Sequence, residues 1–272
     1  MVSLRIATCL AAFVAAVSAA PVTAEPQLSY ETLNVTGTSD RNLRKGERIV
    51  FGSNGRTSIV SESTYKLLLK VEGVSEETPE IDWEYIRAGD AIAAANALRN
   101  DTHLDKRDCS NDISYVVDTQ QRFVDWDVQM SPVIIGAGSH GIDITISKSW
   151  TVSNAITAGG SFDLSSLYSK LGATFKVDYQ RTWTTAQGYM VRATVDQGET
   201  GVVITEPWTN RKYGRTFAGC PGSLRQVGTF MADSHEDGSY EGVSWVSGAI
   251  TGCIKKQSSI PLTRCHGSGS FR

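Results

Sequence analysis

The chain has 272 residues, 20% of them charged, and a net charge of −3. That length holds one domain with a real core plus processing segments, and the near-balanced charge excludes a protein that grips nucleic acid through a broad basic surface. From Asp108 to the end, 15 acids stand against 14 bases, so the exclusion covers the C-terminal part on its own.

Residues 1–20 read as a secretory signal: one positive charge at Arg5, the apolar run Ile6–Val17, then small residues at Val17-Ser18-Ala19 and Val22-Thr23-Ala24 that suit signal peptidase. The run is shorter than the ~20 residues a membrane helix needs, and no later stretch is apolar enough for one. A secreted product, soluble on release, is expected.

Residues 21–107 read as a small α+β pro-region. Arg48-Ile49-Val50-Phe51 and Tyr65–Val71 look like short strands, with a turn signal at Gly52-Ser53-Asn54-Gly55. Thr78-Pro79 then offers an N-cap and a first-turn proline, followed by Ile81, Tyr85, Ala88, Ile92 and Ala95 at helical spacing. So short a segment is marginal as an independent core. Both N-glycosylation sequons, Asn34-Val35-Thr36 and Asn100-Asp101-Thr102, fall within it. It closes on the polar run His103–Asp108, where Lys106-Arg107 resembles the processing site of fungal prepro-toxins and secreted effectors, cut by a kexin-type protease. Cleavage there would start the mature protein at Asp108.

Residues 108–272 are expected to form an all-β mature domain. Cys109, Cys220, Cys253 and Cys265 are an even set in an oxidising compartment, which predicts two disulfides. Of three connectivities, Cys220–Cys253 with Cys109–Cys265 is the expected one, the second tying the new N-terminus to the tail. Period-two alternation is the main signal. Ile142, Ile144, Ile146, Trp150 and Val152 share one face, as do Leu171, Ala173, Phe175, Val177, Tyr179 and Trp183, and again Tyr189, Val191, Ala193 and Val195. Val202–Thr205 is a continuous apolar strand, expected to stop at Pro207. Weaker strands follow near Gly242–Val246 and Ile250–Ile254.

The stretch Ser149–Ile204 carries a family likeness. Ser149-Trp150-Thr151-Val152, the alternating segment Leu171–Tyr179, Arg181-Thr182-Trp183-Thr184-Thr185 and Gly201-Val202-Val203-Ile204 together resemble the long-strand domain of aerolysin-type (epsilon-toxin/mosquitocidal-toxin) β-pore-forming proteins. The same Trp-Thr-Thr strand and Val-Val-Ile-x-x-Pro-Trp segment resemble a group of small secreted fungal effectors. The resemblance implies an elongated sandwich or aerolysin-like sheet. It also implies a membrane-insertion segment, for which Leu171, Ala173, Phe175, Val177 and Tyr179 are the residues, with Lys170, Lys176 and Asp178 on the opposite face. A receptor-binding lobe, usual in that family, is not recognisable here.

Catalytic motifs are weak. Asp125 and Asp127 flank Trp126 and would share a strand face, a pair that could act on a sugar. His140, His235 and His266 sit in Gly- or acid-rich loops, and Glu206 with Arg211 could complete a ribonuclease-like set. No Cys-x-x-Cys, His-Glu-x-x-His, Gly-x-Ser-x-Gly or phosphate-binding glycine loop occurs, so no metal, cofactor or catalytic residue is assigned. Asn210–Arg215 is the one basic cluster; it could bind an acidic headgroup, glycan or nucleic acid, and a solvated turn after Pro207-Trp208 explains it equally simply.

The expectation is therefore a secreted, non-enzymatic effector or toxin-like protein acting on a host or competitor cell. Its partner would be a membrane lipid or glycan rather than nucleic acid, with homo-oligomerisation on a membrane as a further expectation. The alternatives are a secreted hydrolase, or a binding or inhibitor module presenting exposed aromatics around Trp208 and Tyr213.

Overall fold

In the computed structural model, which describes residues 40–51, 57–98, 113–146, 150–184, 190–240 and 243–272, strands β1 (Asp40–Leu43), β2 (Glu47–Phe51) and β3 (Thr57–Ser61) precede helices α1 (Glu62–Val71) and α2 (Trp83–Leu98). Next come β4 (Ile113–Val124), β5 (Val128–Gln129), β6 (Ile134–Ile135), β7 (Ile142–Thr145), β8 (Thr151–Ser153) and β9 (Ala155–Gly160). Helix α3 (Leu164–Phe175), β10 (Thr182–Thr184) and β11 (Met190–Val195) follow. The remainder is β12 (Thr200–Ala218), β13 (Arg225–His235), β14 (Asp237–Tyr240), β15 (Val243–Val246), β16 (Gly248–Lys255), β17 (Leu262–Thr263) and β18 (Ser270–Phe271). The part after Asp108 is β-rich with one helix, α3, and the segment before it is α+β, as the sequence pattern predicts.

Strand β12 is the spine. Its first half, Thr200–Pro207, pairs antiparallel with β16 on one side and with β5 and β6 on the other. Its second half, Trp208–Ala218, pairs with β4 and β13. The sheet thus runs β3-β2-β16-β12-β13-β9, with β4, β5 and β6 also on β12. Pro207 does not end the strand, contrary to expectation. Proline cannot donate to a ladder, and it sits where β12 changes neighbours; the ladder resumes at Trp208, whose N–H donates to the Ser247 carbonyl at 3.0 Å.

Two expected strands are helices. In α1, Ser61 is the N-cap, its Oγ accepting from Thr64 N at 3.2 Å, and Tyr65, Leu68 and Leu69 form the buried face at helical spacing. In α3, the Asp163 carboxylate accepts from Ser165 N at 3.2 Å and Ser166 N at 2.9 Å, satisfying donors that would otherwise be orphaned. Leu167 and Leu171 are its fully buried residues, and Lys176 closes it in the left-handed region at φ 55°. Ala173, which period two would bury, is exposed. The set Leu171, Ala173, Phe175, Val177 and Tyr179 is thus not a two-faced strand: its first three members lie on a helix, and Val177 and Tyr179 in the turn after it.

The N-terminal elements are built into the same sheet. Strand β2 lies between β3 and β16. Its Ile49 and Phe51 enter the cluster formed with the small sheet β1-β11-β7, alongside Val203, Trp245 and Ile250. Val50, on the opposite face, enters a second cluster with Tyr65, Leu68, Leu69, Val124 and Trp208. Burying such a side chain contributes about 1.5–3 kcal/mol. Helix α2 begins at Trp83 rather than after Pro79, with the Asp82 carboxylate accepting from Tyr85 N at 2.8 Å. Its most buried residues are Ile86 and Gly89; of the predicted stripe, Ile81 and Tyr85 pack beside Ile86 against Tyr213 and Met231, Ile92 is half-buried, and Ala88 and Ala95 are exposed. A Cβ on Gly89 would stand 2.2 Å from the Gly159 carbonyl oxygen, and one on Gly159 would stand 2.0 Å from that of Ile86. Two facing glycines let α2 lie directly on β9.

The tail folds over β16. Cys253 and Cys265 form a disulfide, with Cα atoms 5.7 Å apart. This corrects the expected Cys220–Cys253 and Cys109–Cys265 pairing. The turn after β16 returns the chain through β17, so that Leu262 and Phe271 pack with Cys253 in one cluster and the near cysteine is the one within reach. Cys220 is also disulfide-bonded. Cys109, Lys106-Arg107, both sequons and the signal lie outside the described residues.

The three alternating sets fare differently. Val191, Ala193 and Val195 are buried as expected, while Tyr189 is outside the described residues. Ile144 and Val152 are buried together, but on two strands: β7 pairs with β11 and β8 with β10.

A candidate ligand cleft on the central strand

Because β12 continues past Pro207, the basic cluster Asn210–Arg215 lies mid-strand and not in a solvated turn. Alternation then separates its cations. Arg211 is 4% exposed and makes a two-pronged ion pair with Asp233, Nε to Oδ1 and Nη2 to Oδ2, both 2.8 Å. Trp208 and Tyr213 are buried as well, so they form no exposed aromatic patch. Trp208 Nε1 donates to Tyr65 Oη at 3.0 Å.

Lys212 points elsewhere. It is 6% exposed and lines a cleft of about 450 Å³ bounded by the turn after α3, β10, the end of β13 and the middle of β4 and β12. Its Nζ sits 4.6 Å from the centroid of the Phe175 ring. Among the described residues, no carboxylate pairs with it. Burial holds its pKa below the usual 10.5, opposed by the more distant Glu236 carboxylate.

The acids of the cleft are engaged by other donors. Glu236 accepts from Asn210 Nδ2 at 3.2 Å and from Arg122 Nη2 at 3.3 Å. Asp237 accepts from Trp183 Nε1 at 3.0 Å and is paired with Arg181. Asp178 accepts from Gln180 N at 2.9 Å. A lysine buried along most of its length is thereby left with its ammonium facing a concave, partly aromatic space whose carboxylates bond to other donors. Such a position favours an incoming anionic oxygen, which gains a charge-assisted hydrogen bond where water is scarce.

His235 forms part of the same wall. Its backbone N–H and Nδ1 lie 2.7 and 3.1 Å from Asn154 Oδ1, and its Nε2 lies 3.0 Å from Thr209 Oγ1. Burial lowers its pKa to about 4, so it is neutral at pH 7 and adds no charge to the cleft.

The other catalytic possibilities are not brought together. Strand β4 ends at Val124, so Asp125 and Asp127 do not share a strand face. Asp127 is fully buried and accepts from Arg264 Nη1 at 3.0 Å, Cys265 N at 2.8 Å and His266 N at 3.1 Å, which fastens the tail. Asp125 accepts from Trp126 N and from Thr209 Oγ1. His140 is exposed and bonds to Ser139, while His266 bonds to Thr78 Oγ1 at 3.0 Å. Glu206 pairs with Arg48 at 3.2 Å, away from Arg211. Among the described residues, no group of three or more His, Cys, Asp or Glu could hold a metal ion.

The sequence offers Lys212 within the basic cluster and Phe175 within the insertion set but does not join the two, and it does not mark Asn154. The usable signal was Lys212 two places from Asn210 in a strand that Pro207 does not end.

No protein-family model and no curated protein sequence matches the chain. A solved structure from Bacteroides vulgatus, named "Putative pore-forming toxin", aligns with a TM-score of 0.24 at 12% identity, over 58% of this chain. The chain covers 62% of that protein, less than two thirds of its length. A likeness of that size leaves function to be argued from the residues.

Proposed function

We propose that this is a secreted, proteolytically processed, non-enzymatic effector or toxin-like protein that recognises its target outside the producing cell through the cleft on β12. The observation that carries the reading is the largely buried Lys212 side chain, whose ammonium faces a 450 Å³ concave space without a carboxylate partner among the described residues. The ligand it fits is an anionic oxygen group, a carboxylate or phosphate, attached to something that can lie against Phe175 and Trp183. An acidic glycan and a lipid head group both present that chemistry. Any action at a membrane would then begin with head-group binding, and not with the segment Leu171–Tyr179 acting as a preformed strand.

Calorimetric titration with glucuronate, N-acetylneuraminate and glycerophosphate, and flotation with phosphatidylserine vesicles, tests the reading. Saturable binding of at least one probe, lost in Lys212→Met, supports it. Sugar acids binding without vesicles would indicate a glycan, and the reverse a lipid. Equal binding by wild type and Lys212→Met, or no binding of any probe, would overturn it.

A further inference from the structure

We infer that residues 40–98 are a permanent subunit of the folded protein, so that cleavage at Lys106-Arg107 yields a two-chain molecule and not a released leader. The dibasic dipeptide divides the sequence, but the sheet does not divide there. Strand β2 comes from the N-terminal side and hydrogen-bonds along Gly248–Thr251 of β16. It is covered on both faces, by Ile49 and Phe51 on one and Val50 on the other. Removing it would open the β16 edge and two apolar clusters together, and an unpaired strand edge is a template for aggregation.

Polar groups cross the division as well. Tyr65 Oη accepts from Trp208 Nε1, and Thr78 Oγ1 donates to the Val124 carbonyl at 2.6 Å. The Pro79 carbonyl accepts from Arg211 Nη1 at 3.2 Å, and Thr229 Oγ1 donates to the Ile86 carbonyl at 3.1 Å. Losing residues 40–98 would leave several of these buried partners unsatisfied, which is costly beyond the contacts themselves. The facing pair Gly89 and Gly159 adds a backbone-to-backbone fit between α2 and β9 that side chains would forbid. The interface therefore has the continuous, close-packed character of a domain interior, which is the character of obligate subunits.

The partner is thus the chain's own N-terminal segment, and its role is structural completion of the sheet. The inference rests on the processing named in the proposed function, but the ligand cleft draws its walls from residues 120–237, so anion binding and retention of the N-terminal fragment fail independently.

Purified full-length chain, treated with a kexin-type protease, provides the test. Denaturing electrophoresis should show two fragments, while native size-exclusion chromatography keeps them together at the uncut volume. The melting temperature of the cut protein should rise with protein concentration, because its unfolding is now dissociative, whereas the uncut Arg107→Ala variant should melt independently of concentration. In cut protein, Gly89→Leu should lower melting or release the smaller fragment at concentrations where wild type stays joined. Separate elution of the fragments in native buffer, a concentration-independent melting of the cut form, or failure of the protease to cut at Lys106-Arg107 would each overturn the inference.

Discussion

Replacing Lys212 by methionine should stabilise the protein while removing its anion site. The side chain is 6% exposed and its ammonium has only the Phe175 ring, at 4.6 Å, as a close partner among the described residues. A fully buried polar group without a hydrogen bond costs about 1–3 kcal/mol, an upper bound for an ammonium that still meets the solvent of the cleft. Against that stands a cation–π contact of about 0.5–2 kcal/mol, much of whose packing methionine would keep as a sulfur–aromatic contact. The net expectation is a gain near 1 kcal/mol, or roughly 2–4 °C in Tm for a chain of this size. Burial places the folded pKa below the unfolded value of 10.5. The penalty is then fully present below the folded pKa and fades as pH rises through it towards 10.5, because the unfolded state binds the extra proton in that window. Denaturant titrations of both proteins from pH 7 to 10 should show the advantage of Lys212→Met shrinking as pH rises. A loss of more than about 1 kcal/mol at pH 7 would show that the lysine has a stabilising partner and refute the reasoning.

Three further outcomes follow from named contacts. Arg211→Ala leaves the Asp233 carboxylate part-buried and unpaired, and should cost about 3–5 kcal/mol, whereas the double variant Arg211→Met/Asp233→Leu should recover most of that in urea denaturation. Cys265→Ser opens a loop spanning 12 residues and should cost about 3 kcal/mol by the chain-entropy relation, read as a lower urea midpoint than the oxidised wild type and matching the loss on selective reduction. His235 is neutral in the fold with its pKa lowered to about 4. The unfolded state therefore takes up a proton first, and stability should fall between about pH 6.5 and 4 by roughly 3 kcal/mol, a limb that His235→Gln should flatten in acid denaturation.

The strand pattern after Asp108 was legible where burial on one face was the dominant force, as at Val191, Ala193 and Val195. It failed where two periods coincide. Positions 171, 175 and 179 are four apart, a spacing that satisfies both a strand and a helix, and only the exposure of Ala173 separates them. The deciding signal was local and was present in the sequence: Asp163 followed by Ser165 and Ser166 caps a helix that Leu164, Leu167 and Leu171 continue. Tyr65–Val71 misled in the same way, since Tyr65, Leu68 and Leu69 at helical spacing were the stronger pattern. Pro207 carried too much weight as a strand breaker, and that put Lys212 in a turn instead of mid-strand. A proline with no ladder donor is tolerated where a strand exchanges neighbours, and tertiary pairing of that kind leaves no local trace. The disulfide was not readable either, because which cysteines meet depends on how the tail crosses β16.

The most direct measurement of the recognition site is the titration of Lys212 itself, followed by NMR after ¹³C reductive dimethylation of the lysines, with Lys212→Met to assign the signal. The free protein should give one resonance titrating below all the others. Saturation with the anion that binds should raise that pKa towards the ordinary lysine range, since a paired ammonium holds its proton more tightly. A Lys212 signal that titrates with the surface lysines, or that ignores the bound anion, would contradict the account.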